Sequence, residues 1–370
     1  MANPRRRTIP GTAKIRVLIV DDSVVIRRLV TQALEEDAGI EVVGVAANGA
    51  IALQRIPQTN PDVVTLDIEM PEMDGLETLR RIRAAYPDIR IVMFSTLTQR
   101  GAMATIDALM LGADDYVTKA ANVGRVTESL AALRGELVPR INQFFTRTDG
   151  ARDRATRPVP PPAATAPVAG PPRVPLSFQP RIVPKVVAIG VSTGGPTALS
   201  TIVPLLPEGF PLPVLVVQHM PPLFTRLLAD RLQKQTALKV VEAREGDTVQ
   251  AGTIFIAPGD HHMRVRRQDQ KVVITLDQAP PENSCRPAVD VLFRSVQEVY
   301  GGQVVSVVLT GMGQDGLRGV ELLKGVGARV IAQDEATSVV WGMPGAVVRA
   351  NLADSVVPIG DIVPEILRHV

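Results

Sequence analysis

The stretch IRVLIVDD, residues 15–22, decides the fold of the first half of the chain. Ile15–Val20 has the composition of a short apolar strand, and Asp21 and Asp22 follow it directly. In the next segment, one helix face is marked by apolar residues at helical spacing, namely Ile26, Leu29, Val30 and Ala33. Near-continuous apolar strands that alternate with such helices predict a parallel sheet covered on both faces.

The same alternation of strands and helices continues along both halves. In the first half, further strands are predicted at Val42–Ala46, Val63–Leu66, Ile89–Phe94 and Tyr116–Val117. In the second half, they are predicted at Val186–Ile189, Val214–Val217, Thr253–Ile256, Val304–Leu309 and Ala328–Ala332. Residues 263–277 have the pattern of a hairpin, so we expect the second sheet to be mixed. Both halves are therefore predicted to be α/β.

A proline-rich segment separates the two halves. Nine prolines lie between Pro158 and Pro180, with alanine and arginine among them, and such a stretch is typical of a semi-extended linker. A proline-rich docking ligand is the less favoured alternative. At 370 residues, two domains are expected. The predicted organisation is a flexible leader at 1–14, a domain at 15–133, a connecting helix and linker at 134–180, and a domain at 181–370.

Composition narrows the class of protein. The formal net charge of +2 gives no argument for nucleic acid binding. No apolar run approaches the roughly 20 residues that a membrane span requires, and the first residues lack the apolar core of a secretory signal. Cys285 is the single cysteine, which excludes an internal disulfide and fits a reducing compartment. We therefore expect a cytoplasmic protein.

Polar residues follow four strands of the first predicted sheet. Asp21 and Asp22 follow the first strand, and the others, in strand order, are Asp67, Ser95 and Lys119. Because ligands bind at the carboxyl ends of parallel strands, we expect these residues to converge at one sheet edge. Three close carboxylates suit Mg²⁺, and Lys119 and Ser95 could neutralise a transferred phosphoryl group. Helix capping is an adequate alternative for Asp22 alone.

The motifs around these residues carry a resemblance to a known family. VDDS at 20–23, LDIEMPEMDG at 66–75 and VTK at 117–119 closely resemble the receiver domain of two-component response regulators. The resemblance implies that a histidine kinase phosphorylates Asp67. It further implies a Mg²⁺ site and a set of switch residues, namely Asp21, Asp22, Asp67 and the backbone carbonyl of Glu69 for the metal, and Ser95, Lys119 and the aromatic Tyr116 for the switch. Ala120 stands where receivers usually have a proline joined by a cis bond.

The second half carries a different chemical motif. GVSTG at 190–194 follows an apolar strand and matches the G-x-S-x-G pattern of a nucleophile elbow. The helix that begins near Pro196 directs its positive end toward Ser192, which favours an oxyanion there. A glycine-rich turn after a first strand can also bind phosphate, so nucleotide binding is an alternative at this point.

A serine nucleophile needs a base and a group that orients the base. His219 directly follows a strand and reaches the same sheet edge as Ser192, whereas geometry alone does not exclude His261 or His262. The fourth histidine, His369, lies next to the C-terminus. Asp315 lies in a glycine-rich loop after a strong strand and could orient the imidazole, although an aspartate beside glycine in a turn is common. The candidates follow one another along the chain as Ser192, His219 and Asp315, whereas α/β-hydrolases have the order serine, acid, histidine. This difference disfavours a plain lipase or esterase of the α/β-hydrolase family.

The complete set of motifs resembles the chemotaxis protein-glutamate methylesterase family, CheB. The segments that carry this likeness are IGVSTGGP at 189–196, QHMP at 218–221, APG at 257–259, CRPAVD at 285–290 and LTGMG at 309–313. The resemblance implies that Ser192 is the nucleophile, His219 the base and Asp315 its orienting partner. It also implies oxyanion or assisting roles for the backbone near Met312 and for Thr193, and a structural role for Cys285.

The resemblance also implies a fold and an activity. The fold would be an N-terminal flavodoxin-like (βα)5 receiver followed by a doubly wound, largely parallel α/β methylesterase domain. The activity would be phosphorylation-activated hydrolysis of glutamate methyl esters on methyl-accepting chemotaxis receptors, with release of methanol, and deamidation of receptor glutamines. No cofactor is expected at the serine site. A regulator with an inactive binding cleft, or a transcriptional regulator, is the disfavoured alternative.

Overall fold

A computed structural model describes residues 7–10, 13–96, 98–119, 126–148 and 182–370. The flexible leader is described only in part, and Ala120 and the proline-rich segment predicted as a linker lie outside the described residues. Within these ranges, no helix has both the length and the apolarity that crossing a membrane would need.

The first half forms a five-stranded parallel sheet. Its strands are β2 Ile15–Val20, β3 Ile40–Ala46, β4 Val63–Asp67, β5 Arg90–Ser95 and β6 Asp115–Thr118. The strand order is β3-β2-β4-β5-β6, and every pairing is parallel. The helices between the strands are α1 Val24–Glu35, α2 Gly49–Thr59, α3 Gly75–Ala85 and α4 Gln99–Met110. The strand order reverses between β2 and β4, which is where a crevice opens for ligands.

The boundary predicted at residue 133 lies inside a helix. This helix, α5, spans Val126–Asn142. Leu137 and Ile141 on its second half, and Phe144 just after its end, are buried in the same core cluster as Ile15. Strand β7, Phe145–Thr148, follows it and pairs in parallel with β1, Arg7–Pro10, inside the predicted leader. The sequence did not predict this packing or this strand pairing, because the apolar residues of 137–145 contact residues that are distant along the chain.

The second half forms a seven-stranded sheet. Its strands are β8 Val186–Val191, β9 Val214–Gln218, β10 Lys239–Glu242, β11 Thr253–Ile256, β14 Val304–Val308, β15 Arg329–Gln333 and β16 Ser355–Val357. All described pairings in the order β10-β11-β9-β8-β14-β15-β16 are parallel. The predicted hairpin exists as β12 His262–Gln268 and β13 Lys271–Asp277, but it forms a separate antiparallel sheet. The expectation of a mixed second sheet was therefore wrong.

Helices cover both faces of the second sheet. They are α6 Gly195–Ile202, α7 Phe224–Gln233, α8 Val289–Tyr300, α9 Leu317–Gly325, α10 Met343–Arg349 and α11 Ile362–Leu367, with short 3₁₀ turns at Val203–Leu205 and Ile359–Asp361. Strands β8 and β14 are buried along their whole length, which explains their near-continuous apolar sequence. The chain leaves β8 toward β9 on one side and returns to β14 on the other, so the strand order reverses between β8 and β14.

Candidate active site

The predicted nucleophile lies at the point where the order of the second sheet reverses. Ser192 follows β8, and the Thr310–Gly311 segment follows the neighbouring strand β14. The Ser192 N–H donates to the Thr310 carbonyl at 3.0 Å, which joins the two loops. The crevice outside such strand ends is where open α/β sheets bind their ligands.

Two glycines give the turn at Ser192 its shape. Gly194, directly before α6, has φ of +78°, which a residue with a Cβ rarely adopts. Gly311 approaches the nucleophile so closely that a Cβ on it would lie 2.7 Å from the Ser192 Cβ. Pro196 occupies the first turn of α6, as predicted. The half-buried Ser192 is therefore held at the start of a helix with no room for a neighbouring side chain.

His219 and Asp315 form a close pair beside this turn. His219 Nε2 lies 2.8 Å from Asp315 Oδ2. Asp315 is buried, and it also accepts hydrogen bonds from the backbone N–H groups of Val289 at 2.6 Å, Asp290 at 3.0 Å and Gly316 at 2.9 Å. Two of these donors belong to the first turn of α8, so the helix start holds the carboxylate as an anion.

The electrostatics of the pair favour charge on both partners. Burial lowers the pKa of His219, but hydrogen bonds to Asp315 and Cys285 outweigh burial and raise it to about 9. Burial raises the pKa of Asp315, but its bonds to His219 and to backbone N–H groups bring it below its usual value. At neutral pH the ring is therefore protonated in this conformation, and it would have to lose that proton before it could act as a base.

Ser192 and His219 share a cavity but are not hydrogen-bonded to each other in the described structure. The ring nitrogen that Asp315 leaves available, Nδ1, lies 3.5 Å from the Cys285 Sγ. Cys285 was predicted to be structural, yet it lines the cavity together with Ser192 and His219. The sequence offered no signal for this contact, because Cys285 and His219 are 66 residues apart.

The other histidines do not compete for the role of base. His262 is fully buried, with Nδ1 accepting from the Ala288 N–H at 3.2 Å and Nε2 lying 3.1 Å from the Pro280 carbonyl. His261 contacts the carbonyl of Gly259. His369 lies 3.6 Å from Glu365 near the C-terminus. Neither His261 nor His262 lines the cavity of Ser192, so the structure favours His219 among the three internal candidates.

The backbone offers donors for a developing oxyanion. Within the described residues, the N–H groups of Thr193 and Met312 form no hydrogen bond. Both residues line the cavity, and the side chain of Met312 is half exposed. The N–H that follows a nucleophile is a common member of an oxyanion hole. Gln218 was not predicted to take part, but its Nε2 donates to the Ser192 carbonyl at 3.0 Å and to that of His219 at 3.2 Å.

The first domain closes one side of this cavity. The cavity has a volume of about 1060 Å³, and its walls come from both domains. The Thr193 hydroxyl, next to the nucleophile, lies 3.3 Å from Asp115 Oδ2 and 3.3 Å from Gln143 Oε1. Asp115 is itself held by Gln143 Nε2 at 2.9 Å and by Arg140 at 3.2 Å. In this conformation the hydroxyl predicted to assist catalysis is bound by the first domain.

An aromatic and an ionic contact reinforce this interface. The ring of Tyr116 stacks on Phe224 with centroids 5.0 Å apart and planes 17° apart. The Arg140 guanidinium lies 5.9 Å from the Tyr116 centroid on the first domain. Burial raises the pKa of Tyr116, which keeps its hydroxyl neutral. Arg231 Nε donates to Asp107 Oδ1 at 2.6 Å between α7 and α4. The predicted switch residue Tyr116 is therefore part of the domain interface.

The carboxylate residues of the first domain converge as predicted. Oxygen atoms of Asp21, Asp22 and Asp67 all lie within 4.8 Å of one another. Lys119 Nζ lies 2.9 Å from Asp21 and 2.8 Å from Asp67. Three carboxylates around one point suit a hard divalent cation. Glu69, in the loop that follows β4, lines a cavity of about 270 Å³ together with Asp67.

The charges at this site compete with burial. Burial raises the pKa of Asp67 to about 6, and the charge of Asp21 adds to this, although Lys119 acts in the opposite direction. Burial lowers the pKa of Lys119, but hydrogen bonds to Asp21 and Asp67 raise it above its usual value. A cation beside these carboxylates would favour their ionised forms.

Ser95 lies at the predicted strand end but does not line the cavity beside Asp67. Its hydroxyl lies 3.2 Å from the Gly101 carbonyl and also accepts a hydrogen bond from Thr105. Thr96, the next residue, lines the cavity instead. Contact between Ser95 and a phosphoryl group would therefore require its side chain to turn, and this role stays a prediction.

Comparisons with known proteins agree with the two-domain organisation. A family model described as CheB methylesterase matches residues 187–366. A second one, described as response regulator receiver domain, matches residues 17–131. Among solved structures, the CheB methylesterase catalytic domain of Thermotoga maritima is 45% identical with a TM-score of 0.50, and the match covers 50% of this chain and 99% of that chain.

Full-length relatives resemble the chain across both domains. A protein of Trichodesmium erythraeum is 49% identical over 364 residues, which cover 96% of this chain and 99% of the relative. A protein of a Nocardioides species is 52% identical over 361 residues, which cover 98% of this chain and 96% of the relative. Both are named protein-glutamate methylesterase/protein-glutamine glutaminase.

Proposed function

Because the chain belongs to the CheB family of protein-glutamate methylesterases that carry a receiver domain, we propose that it demethylates chemotaxis receptors under control of phosphorylation. Its substrates are glutamate methyl esters on methyl-accepting receptors, and its products are glutamate and methanol. The observation that carries this proposal is the hydrogen-bonded His219–Asp315 pair, 2.8 Å apart, whose imidazole lines the same cavity as the elbow serine Ser192.

The side chains support a serine hydrolase mechanism. The Ser192 oxygen attacks the ester carbonyl while its proton passes to Nδ1 of a neutral His219 ring. Asp315 stabilises the resulting imidazolium, and the N–H groups of Thr193 and Met312 stabilise the oxyanion. The ring then gives its proton to the departing methoxide, and water hydrolyses the acyl-enzyme by the reverse route. An amide differs mainly in its leaving group, so the same site deamidates receptor glutamines.

The contact between Ser192 and His219 must form during activation. In the described conformation, Cys285 occupies Nδ1 and the first domain covers the cavity. Withdrawal of the covering domain frees Thr193 from Asp115 and Gln143 and lets an ester reach Ser192. We therefore propose that phosphorylation of Asp67 weakens this interface, with Tyr116 as the residue that links the two sites.

A methanol-release assay tests the proposed activity. Membranes that carry methylated receptors are incubated with the full chain, with and without a small-molecule phosphodonor. We expect methanol release in both cases and a higher rate with the donor, because phosphorylation exposes the cavity. A chain that binds these membranes but releases no methanol under either condition would be a binding module, and the proposal would be wrong.

The receiver site supports a phosphorylation switch that uses a metal ion. The carboxylates of Asp21, Asp22 and Asp67, with the Glu69 carbonyl, would hold Mg²⁺, which when bound offsets negative charge as a phosphoryl group approaches. Asp67 is the acceptor, and the ammonium of Lys119 binds the transferred oxygens. The proposed phosphodonor is a chemotaxis histidine kinase. Because the methylated helices of such receptors are cytoplasmic, we propose that the enzyme acts in the cytoplasm. No cofactor is proposed for the serine site.

The raised pKa of Asp67 predicts an effect on stability. In its folded surroundings the ionised carboxylate is disfavoured, because its pKa is about 6 rather than 3.8. This cost is present above pH 6 and fades as the pH falls toward 4. Asp67→Asn should therefore raise the free energy of unfolding at pH 7.5 in metal-free buffer, by on the order of 2 kcal/mol. Calorimetry at pH 7.5 and pH 4.5 measures the difference.

Two controls accompany this measurement. Asp88→Asn changes an exposed aspartate of the same domain and should leave stability unchanged. Mg²⁺ should stabilise the natural protein more than Asp67→Asn, because the variant lacks one ligand. The prediction is wrong if Asp67→Asn is less stable than the natural protein at pH 7.5 without metal, because the ionised Asp67 carboxylate would then not destabilise the fold.

A further inference from the structure

A tight turn, Glu282–Cys285, lies at the mouth of the catalytic cavity. The Glu282 N–H donates to the Cys285 carbonyl at 3.1 Å, and the Cys285 N–H donates to the Glu282 carbonyl at 2.8 Å. Between them, Asn283 and Ser284 both have positive φ, 52° and 62°. Two successive left-handed residues are typical of a type I′ turn, in which asparagine is favoured at the first position. The shape of the turn therefore fixes where the Asn283 side chain points.

Asn283 joins two buried carboxylates. Its Nδ2 donates to Asp315 Oδ1 at 2.9 Å and to Asp290 Oδ2 at 3.0 Å. Both aspartates are at least 97% buried, with exposures of 2% for Asp315 and 3% for Asp290. Within the described residues, no other side chain forms hydrogen bonds with both of them. Asp290 Oδ1 is satisfied separately, by the Gly319 N–H at 2.7 Å.

The two carboxylates need a donor between them. Burial raises the pKa of Asp290, and the nearby charge of Asp315 raises it further, because two like charges in one buried site repel. Without the Asn283 donor, Asp290 Oδ2 would lose its one hydrogen bond among the described residues, at a cost typical of an unsatisfied buried group. Asp315 Oδ1 would keep the backbone N–H groups of Asp290 and Gly316 but would lose its one side-chain donor. We expect the repulsion from Asp290, no longer bridged by a donor, to turn the Asp315 carboxylate and carry Oδ2 away from His219 Nε2.

We propose that Asn283 is a positioning residue of the hydrolase: its carboxamide holds the Asp315 carboxylate in the orientation that meets His219. This role rests on the proposed function at one point, namely that one of the assays that test it measures ester hydrolysis. Asn283 does not act on the ester, so its loss should lower kcat with little effect on KM. The same turn brings the Cys285 Sγ near the other ring nitrogen, so it borders the His219–Asp315 pair at both ends.

The test uses Asn283→Asp in the full chain with a phosphodonor present. Aspartate has nearly the same size and tolerates the left-handed conformation, but it presents an acceptor to the two carboxylates. We expect kcat for methanol release to fall about 10- to 100-fold, with KM for methylated receptor membranes within about twofold. Asn351→Asp is the matched control, because Asn351 is exposed and also left-handed, with φ of 56°; its kcat should not change.

A double variant separates positioning from folding. Asn283→Asp combined with Asp290→Asn restores the number of charges and the bond between positions 283 and 290, with the donor reversed. It does not restore a side-chain donor from position 283 to Asp315. We expect the Tm to return toward that of the natural protein while kcat stays low. If kcat recovers together with the Tm, Asn283 acts only on stability and the proposal is wrong.

A serine-directed fluorophosphonate probe gives a readout that does not depend on the ester. Attack by Ser192 forms an O–P bond, fluoride leaves and the proton passes to His219. Mass spectrometry should show Ser192 labelled at least about tenfold more slowly in Asn283→Asp than in the natural protein. Equal labelling rates would overturn the role of Asn283. Labelling of the natural protein without methanol release would overturn the proposed substrate alone, and absence of labelling at Ser192 would overturn both.

Discussion

Ser192→Ala is expected to reduce methanol release by about 10⁴-fold or more, because removal of a nucleophile from a serine site eliminates the acyl-enzyme route. The half-buried Ser192 side chain forms no hydrogen bond with another described side chain, so its removal should cost little stability. Methanol release from methylated receptor membranes, measured with saturating phosphodonor, gives the loss.

Phosphorylation provides the internal comparison for this variant. Asp67 lies in a separate sheet, so Ser192→Ala should accept a phosphoryl group at the rate of the natural protein. Ser355→Ala is the matched control, since Ser355 lies on β16 and bonds Glu365 rather than the cavity; its hydrolysis should be unchanged. Retention of more than a few per cent of the activity by Ser192→Ala would remove Ser192 as the nucleophile.

Deletion of residues 1–150 is expected to raise the unstimulated rate by about tenfold or more. The first domain supplies one wall of the cavity and binds the Thr193 hydroxyl, so its removal opens the site. A tenfold rise corresponds to about 1.4 kcal/mol of closure free energy. The second domain has a core cluster of its own, and the relative from Thermotoga maritima was crystallised as a catalytic domain. An unchanged or lower rate would contradict occlusion.

A milder change at the interface tests the same idea without deletion. Arg231→Asp places two negative charges opposite each other where Arg231 now pairs with Asp107. Because this pair is partly exposed, we expect a rise of only a few-fold in the unstimulated rate. Adding Asp107→Arg should restore the low rate. Arg264→Asp breaks a pair of similar exposure, Arg264–Asp277, within the second domain and should leave the rate unchanged.

Most strands could be predicted closely, because a strand that is buried on both faces has a near-continuous apolar sequence. Ile15–Val20 and Thr253–Ile256 were predicted with the bounds observed. The weaker edge strand Lys239–Glu242 was missed, since only part of it is buried and its pattern is short. The hairpin at 263–277 was predicted as a hairpin, but whether it joined the main sheet depended on distant pairing, and that part of the prediction was wrong.

The candidate site was predictable to the extent that strand ends share one edge. That rule brought Asp21, Asp67 and Lys119 together, and it placed His219 on the edge of Ser192. It could not find Asn283 or Cys285, because a loop between a hairpin and a helix has no fixed position on the sheet. Nor could it indicate that the Ser95 hydroxyl turns toward Thr105.

Sequence alone determined the two α/β domains and the polar residues at the strand ends, because the alternation of apolar strands and helices is a local property of the chain. Tertiary structure decided which of those residues touch. Contacts such as Thr193 with Asp115, Tyr116 with Phe224 and Asn283 with Asp315 join positions 32 to 108 residues apart. Such contacts arise only when packed domains set the distances between side chains, and no local pattern encodes them.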